Sequence, residues 1–313
     1  MRTLLFCLLL CCSTLSRADE TGHILRFEPL DGARGRTVPV KIYRRPAEVP
    51  LPVVVFSHGL GGSRENSPYL GEHWAAHGYV AVFVQHPGSD ESVWKEGGAG
   101  QGFSALKAAA SAKSLLQRIA DIPFVLDQLE KWNVEEGHPL RGSMDLEKIG
   151  MCGHSFGAVT TQAMMGQVFA GDRTVADPRF DAFLPMSPSS GRGLPAAEAF
   201  AKIDAPVLCM TGTEDDSPIQ PEVTPASRRE VYAALPLGDK YQLVFEGGGH
   251  FVFSDVKRHD EQRLARHHEA IQLLSTRFWD AYLKGDVAAQ QWLRSDAVRS
   301  EAQLAEKDVW EWK

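Results

Sequence analysis

Ser155, an acid within Glu214-Asp215-Asp216, and His250 have the types and the order needed for nucleophilic acyl chemistry. A serine hydroxyl is a weak nucleophile until a base takes its proton, and the base needs an acid to fix its orientation. Ser155 sits in Gly153-His154-Ser155-Phe156-Gly157, after the apolar run Ile149–Cys152 and before the helix-forming segment Ala158–Phe169. Strand, G-x-S-x-G, helix is the setting of a strained turn that lifts a serine above a sheet. The following helix then points its first amides at developing negative charge.

The acid and the base also follow strands. Ala205–Met210 runs into Thr211-Gly212-Thr213-Glu214-Asp215-Asp216-Ser217-Pro218, and Tyr241–Glu246 runs into Gly247-Gly248-Gly249-His250. Both groups therefore fall at the strand ends where Ser155 emerges. The Gly212-x-x-Asp215-x-x-Pro218 spacing favours Asp215, with Asp216 and Glu214 as alternatives. Among the other histidines, His154 adjoins the nucleophile and should point away from it, and His267 and His268 fall on the flank of a helix. His86 is a further rival, and His259 lies beyond the expected loop. The base is read as His250. A further loop, His58-Gly59-Leu60-Gly61-Gly62-Ser63, follows Val53–Ser57. The amides of Leu60 and Phe156 are the expected oxyanion donors, and His58, Gly59 and Trp94 are candidate substrate contacts.

These residues need a sheet to bring them together. Strands are expected at Leu25–Glu28, Arg36–Tyr43, Val53–Ser57, Val80–Gln85, Ile149–His154, Ala182–Met186, Val207–Thr211 and Gln242–Glu246. Continuously apolar runs such as Val53-Val54-Val55-Phe56 are what strands buried on both faces require. Leu115, Ile119, Ile122, Leu126 and Leu129 repeat at helical spacing, as do Leu264, Ile271, Leu274, Phe278 and Tyr282. Pro123 predicts a kink or a break in the first of these helices. The expected fold is α/β: a mostly parallel sheet of about eight strands with helices on both faces.

Phe56–Arg64, Ala76–Ala81, His86-Pro87-Gly88-Ser89, the Ser155 turn, Thr211–Pro218, Gly249-His250 and Phe278–Gly285 together resemble bacterial alpha/beta-hydrolase esterases. These are related to platelet-activating-factor acetylhydrolase and are often labelled dienelactone-hydrolase-like. The resemblance implies cofactor-free hydrolysis of carboxylic esters through an acyl-enzyme. Ser155 would attack, His250 would shuttle the proton and Asp215 would orient the imidazole. True dienelactone hydrolases use a cysteine nucleophile, so Ser155 departs from that label. A lipase, a cutinase-like polyester hydrolase, an acyltransferase and a non-catalytic binding protein on the same fold are the competing readings.

Composition narrows the partners. Forty acidic residues against 33 basic give a net charge of −7, which disfavours nucleic acid. No phosphate-binding G-x-x-x-x-G-K-[ST] loop and no H-E-x-x-H pair occurs, and the histidines lack metal-ligand spacing, so neither cofactor nor metal is expected. Gly98-Ala99-Gly100-Gln101-Gly102 follows no strand and reads as a mobile loop. Residues 1–18, with Arg2, apolar Thr3–Cys12 and Ser16-Arg17-Ala18, read as a signal peptide. That predicts a secreted or periplasmic protein, one domain over 19–313, with no stable membrane anchor and a small or lipid-like ester as its partner. Cleavage leaves Cys152 and Cys209, expected as buried free thiols because another strand should separate theirs.

Overall fold

The computed structural model describes residues 17–18, 23–95, 102–190, 193–255 and 265–313. The strands are β1 (Arg17–Ala18), β2 (Ile24–Phe27), β3 (Leu30–Asp31), β4 (Arg36–Thr37), β5 (Val40–Tyr43) and β6 (Leu51–Ser57). They continue with β7 (Val80–Val84), β8 (Met144–His154), β9 (Ala182–Met186), β10 (Val207–Glu214), β11 (Lys240–Gly249) and β12 (Val309–Trp312). Ten of them form one sheet in the order β1-β2-β5-β7-β6-β8-β9-β10-β11-β12. The six strands from β7 to β11 in that order pair in parallel, and the flanking strands pair antiparallel.

The sheet is thus α/β and mostly parallel at its centre, wider than the eight strands expected because β1 and β12 extend its edges. Arg36–Tyr43 does not form one strand. β4 pairs with β3 in a separate ribbon, and only β5 joins the main sheet. Pro39 stands between them with no N–H to give to a ladder.

The helices are α1 (Pro68–Ala76), α2 (Ser92–Lys95), α3 (Gly102–Ala109), α4 (Ala112–Val134) and α5 (Phe156–Met164). After them come α6 (Ala196–Ala199), α7 (Pro225–Ala234), α8 (Ala265–Leu283), α9 (Val287–Leu293) and α10 (Ala297–Glu301). Alternation along the strands divides the core in two. Val53 and Val55 point to the side covered by α4, α5, α6 and α7, and Val54 and Phe56 to the side covered by α1, α8 and α9. The expected break at Pro123 is absent, because α4 continues through it. Burial of Ile122, Val125, Leu126 and Leu129 outweighs the ~3 kcal/mol that an internal proline costs. The break lies earlier, where the Ser111 side chain caps α4 by accepting from Ser114 N–H.

Cys152 and Cys209 are both buried free thiols. β9 separates their strands, and they point to opposite faces, Cys209 to the first core and Cys152 to the second. The glycine-rich stretch 98–101 and His259 fall outside the described residues, as do residues 1–16 of the expected signal peptide. Among the described residues no helix is long and apolar enough to cross a membrane.

The second core closes on Trp279, which is fully buried and meets Trp74 edge-on at 6.1 Å. A Cβ placed on Gly150 would lie 2.7 Å from its ring, so α8 rests directly on the β8 backbone. Trp279→Ala is expected to cost ~3–5 kcal/mol in urea unfolding. Trp312→Ala, at a 40% exposed edge position, should cost less than half as much.

Candidate active site

The turn after β8 is built on backbone contact. Ser155 has φ 57° and ψ −115°, a conformation that costs a non-glycine residue of order 1–3 kcal/mol. It is held by its own N–H donating to Met186 O at 2.9 Å, while its carbonyl accepts from Val159 N–H at 3.1 Å. The flanking glycines are sterically required. A Cβ on Gly153 would lie 2.3 Å from Gly157 O, and one on Gly157 would lie 1.9 Å from Ser57 O.

Three distant segments meet above this turn. Ser155 Oγ lies 2.9 Å from His250 Nε2, and His250 Nδ1 lies 2.7 Å from Asp215 Oδ1. With the ring proton on Nδ1 donated to the carboxylate, Nε2 is free to accept from the serine hydroxyl. Asp215 is fully buried, whereas Asp216 and Glu214 are exposed. The geometry therefore selects Asp215 from the three acids. Its other oxygen accepts from Thr211 Oγ1 at 2.8 Å. Burial alone would raise the Asp215 pKa. The His250 hydrogen bond and the charges of His250 and Arg228 outweigh that and hold it below the ordinary carboxylate value.

Arg228, on α7, is a member of the site that sequence reasoning missed. It is almost wholly buried, with Nε 2.8 Å from Asp215 Oδ1 and 2.6 Å from the Asp215 carbonyl. Its Nη1 donates to Ser187 O at 2.9 Å and Pro188 O at 3.1 Å. The same guanidinium therefore ties the loop after β10 to the loop after β9. His154 does point away from Ser155, and it too contributes to the site. Its Nε2 lies 2.9 Å from His250 O, supporting the His250 backbone from below.

The loop after β6 backs onto Ser155, since a Cβ on Gly59 would stand 3.5 Å from Ser155 Cβ. Among the described residues the amides of Leu60 and Phe156 donate to no other group, which leaves both available to an incoming oxygen. His58 is not placed to touch a substrate. It is 1% exposed, its Nδ1 donates to Gly59 O at 2.6 Å, and its Nε2 accepts from His86 N–H at 3.1 Å. Trp94 is 45% exposed and donates from Nε1 to Gly61 O at 2.8 Å, so it braces the loop while nearly half of it stays open to solvent.

Behind this loop lies a chain of polar groups with no solvent exposure. Ser57 Oγ is 3.0 Å from His86 Nε2, and His86 Nδ1 is 3.0 Å from Asp121 Oδ2. Asp121 also accepts from Arg34 and Arg36, each at 2.8 Å. The flank expected for His267 and His268 is only half right: His267 is buried, 4.6 Å from the Phe245 ring centre, and His268 stacks on Tyr69. Among the described residues no cluster of histidine, cysteine or carboxylate is arranged to hold a metal.

A ferulic acid esterase from Streptomyces cinnamoneus superimposes on this chain with a TM-score of 0.58, covering 87% of this chain and 89% of that one at 22% identity. The chain has the alpha/beta-hydrolase fold. Within this hydrolase fold, residues 38–95 match the family model described as platelet-activating factor acetylhydrolase, isoform II. That segment carries β5, β6, β7 and the loop behind Ser155. A platelet-activating factor acetylhydrolase from Cavia porcellus is 28% identical over 136 residues, 35% of this chain and 30% of that protein. The chain thus matches under a third of that relative's length.

Burial gives the hydrolase-fold site a pH signature. It lowers the pKa of His86 to about 4 and of His154 to about 3, and that of His58 well below its usual value. These rings are neutral in the folded state but charge at about pH 6.5 when unfolded. Between those values the unfolded chain binds more protons, so stability rises with pH and is lost as pH falls below 6.5. Each of His86 and His154 should remove about 2 kcal/mol between pH 7 and 5. Urea midpoints measured across that range should fall, and His154→Gln should flatten the fall by one such increment.

Proposed function

We propose that this chain is an exported serine esterase that cleaves carboxylic esters through an acyl-enzyme. The observation that carries the reading is the continuous hydrogen-bonded series Ser155–His250–Asp215, with Ser155 in a strained turn at the start of α5. In this mechanism Ser155 Oγ attacks the ester carbonyl as His250 Nε2 takes the hydroxyl proton. The carbonyl oxygen becomes an oxyanion facing the Leu60 and Phe156 amides, each worth roughly 3–4 kcal/mol in such sites. Collapse breaks the bond to the alcohol, which leaves with the proton held by His250. Water then repeats the sequence, with His250 as base, and releases the acid.

The arrangement of α2 and α3 suggests the substrate side. A Cβ on Gly61 would meet Leu106 at 2.6 Å and Trp94 at 3.2 Å, so both side chains cover the loop. They give an apolar wall suited to an acyl chain or an aryl group. Exposed Trp94 and Phe103 favour, as a second reading, a lipase or polyester hydrolase that meets its substrate on a surface. The names of the similar proteins add platelet-activating factor and ferulic acid esters to the substrates worth assaying.

A fluorophosphonate probe should add to the folded protein once, at Ser155, and not to Ser155→Ala. The same variant should lose at least ~10⁴-fold in kcat on p-nitrophenyl esters. Folded wild-type protein that resists the probe would overturn the reading. A p-nitrophenyl series from acetate to palmitate should favour short and medium chains, whereas a rise toward palmitate would select the lipase alternative. Export is tested by the mass of protein recovered from outside the cytoplasm, which should begin near Asp19. Cleavage there would remove Arg17 and Ala18, which pair with Arg26 and Leu25 at the sheet edge.

A further inference from the structure

Arg118 has no exposed surface. It lies on α4, on the stripe that runs Ser114, Arg118, Asp121, Val125 and Leu129. Among the described residues no carboxylate comes within ion-pair distance of it. Its partners are uncharged groups of the two loops beside Ser155. Nη1 donates to His58 O at 2.6 Å, and Nη2 to Gly59 O at 3.4 Å and Ser89 O at 3.3 Å. Nε donates to Ser89 Oγ at 2.8 Å. The guanidinium lies over Phe156, with Cζ 4.4 Å from the ring centre. Burying a cation costs several kcal/mol unless close partners offset it. Here the offset comes from the nearby Asp121 and Asp90 charges and from hydrogen bonds to those loops, mainly to their backbone.

The direction of those bonds bears on chemistry. In a trans peptide the N–H points opposite to the C=O. Arg118 shares Gly59 O with His58 Nδ1 at 2.6 Å and Gly62 N–H at 3.1 Å, and donors that hold this oxygen in place turn the Leu60 N–H the other way. A hydrogen bond to the carbonyl of a peptide also strengthens its N–H as a donor. The same guanidinium lies over the ring of Phe156, whose amide is the second expected donor. Gly61 N–H donates to Ser89 O at 2.9 Å and Glu91 N–H to Gly62 O at 2.8 Å. Ser89 thus gives Arg118 and the loop a shared anchor. Burial lowers the Arg118 pKa to about 9, so the group is charged at neutral pH.

We propose that Arg118 is a positioning residue that aims the Leu60 and Phe156 amides at the reacting oxygen. The proposal rests on the esterase reading of Ser155. Arg118→Ala should lower kcat on p-nitrophenyl acetate ~100-fold, the loss expected for one misaligned donor, with KM within about threefold of wild type. Affinity for an alkylboronic acid, which adds to the serine as a tetrahedral adduct, should fall in step with kcat/KM. Low-millimolar guanidinium chloride should restore at least tenfold of the activity, and ammonium chloride should not. Arg118→Lys, which cannot bridge two carbonyls and Ser89, should be intermediate.

A kcat for Arg118→Ala within threefold of wild type overturns the proposal, as does a lower kcat with boronate affinity unchanged. If Arg118→Ala does not fold, Arg118→Lys and Ser89→Ala decide. A loss of kcat of roughly 3–10-fold in folded protein supports the proposal, and no loss in either overturns it. Wild-type protein that neither hydrolyses esters nor reacts with fluorophosphonate removes the esterase reading itself, and this inference with it. That outcome is seen without any Arg118 variant.

Discussion

Among the described glycines the least room for a side chain is at Gly157, where the backbone at the start of α5 presses against the end of β6. With 1.9 Å between the Ser57 oxygen and any Cβ on Gly157, only glycine lets these segments touch. The contact sets how near the turn bearing Ser155 comes to the loop beginning at His58. It also fixes β6 and β8 as neighbours that end together. Everything else at the site is arranged around that distance. β10 and β11 bring an acid and a base to the same edge, and α4 and α7 supply charge behind the loops.

The use of charge is unusual for so dry a region. Two arginines, Arg118 and Arg228, lie behind the loops rather than at the surface, and each donates mainly to backbone carbonyls. In a low-dielectric interior such bonds are strong, and a lost partner is costly. Each guanidinium thereby ties two separate loops together at several points. The His250 hydrogen bond, together with the charges of His250 and Arg228, keeps the Asp215 carboxylate ionised despite burial. Rigidity at this edge follows from buried hydrogen bonding, and the apolar cores below supply the platform.

Much of this was legible in the sequence, and the limits have physical causes. Strand centres such as Val53–Phe56 and Ala182–Met186 were legible because burial on both faces leaves no polar residue to blur them. The order Ser155, Asp215, His250 could be read because each follows such a run. The spacing favoured Asp215 but left Asp216 open, since neighbouring residues differ only in which way the loop turns them. β12 escaped because Val309–Trp312 is short and gains its meaning from the β11 edge it pairs with. Arg118 and Arg228 left one faint signal. Each continues an apolar helical stripe with a charged residue, as Arg228 does beside Val231 and Tyr232. A charge on a core-facing stripe points to a buried partner but does not say which.

Ser57, His86 and Asp121 repeat the connectivity of Ser155, His250 and Asp215, with hydrogen-bond lengths that differ by no more than a few tenths of an ångström. A template keyed to these distances would fit both sets. Only the second offers its hydroxyl to an incoming carbonyl, because Ser57 has no exposed surface and Ser155 is partly open. Reactivity here is thus a property of access. The inner copy shows that a serine, histidine and aspartate in register make a sound structural brace when no substrate can reach them.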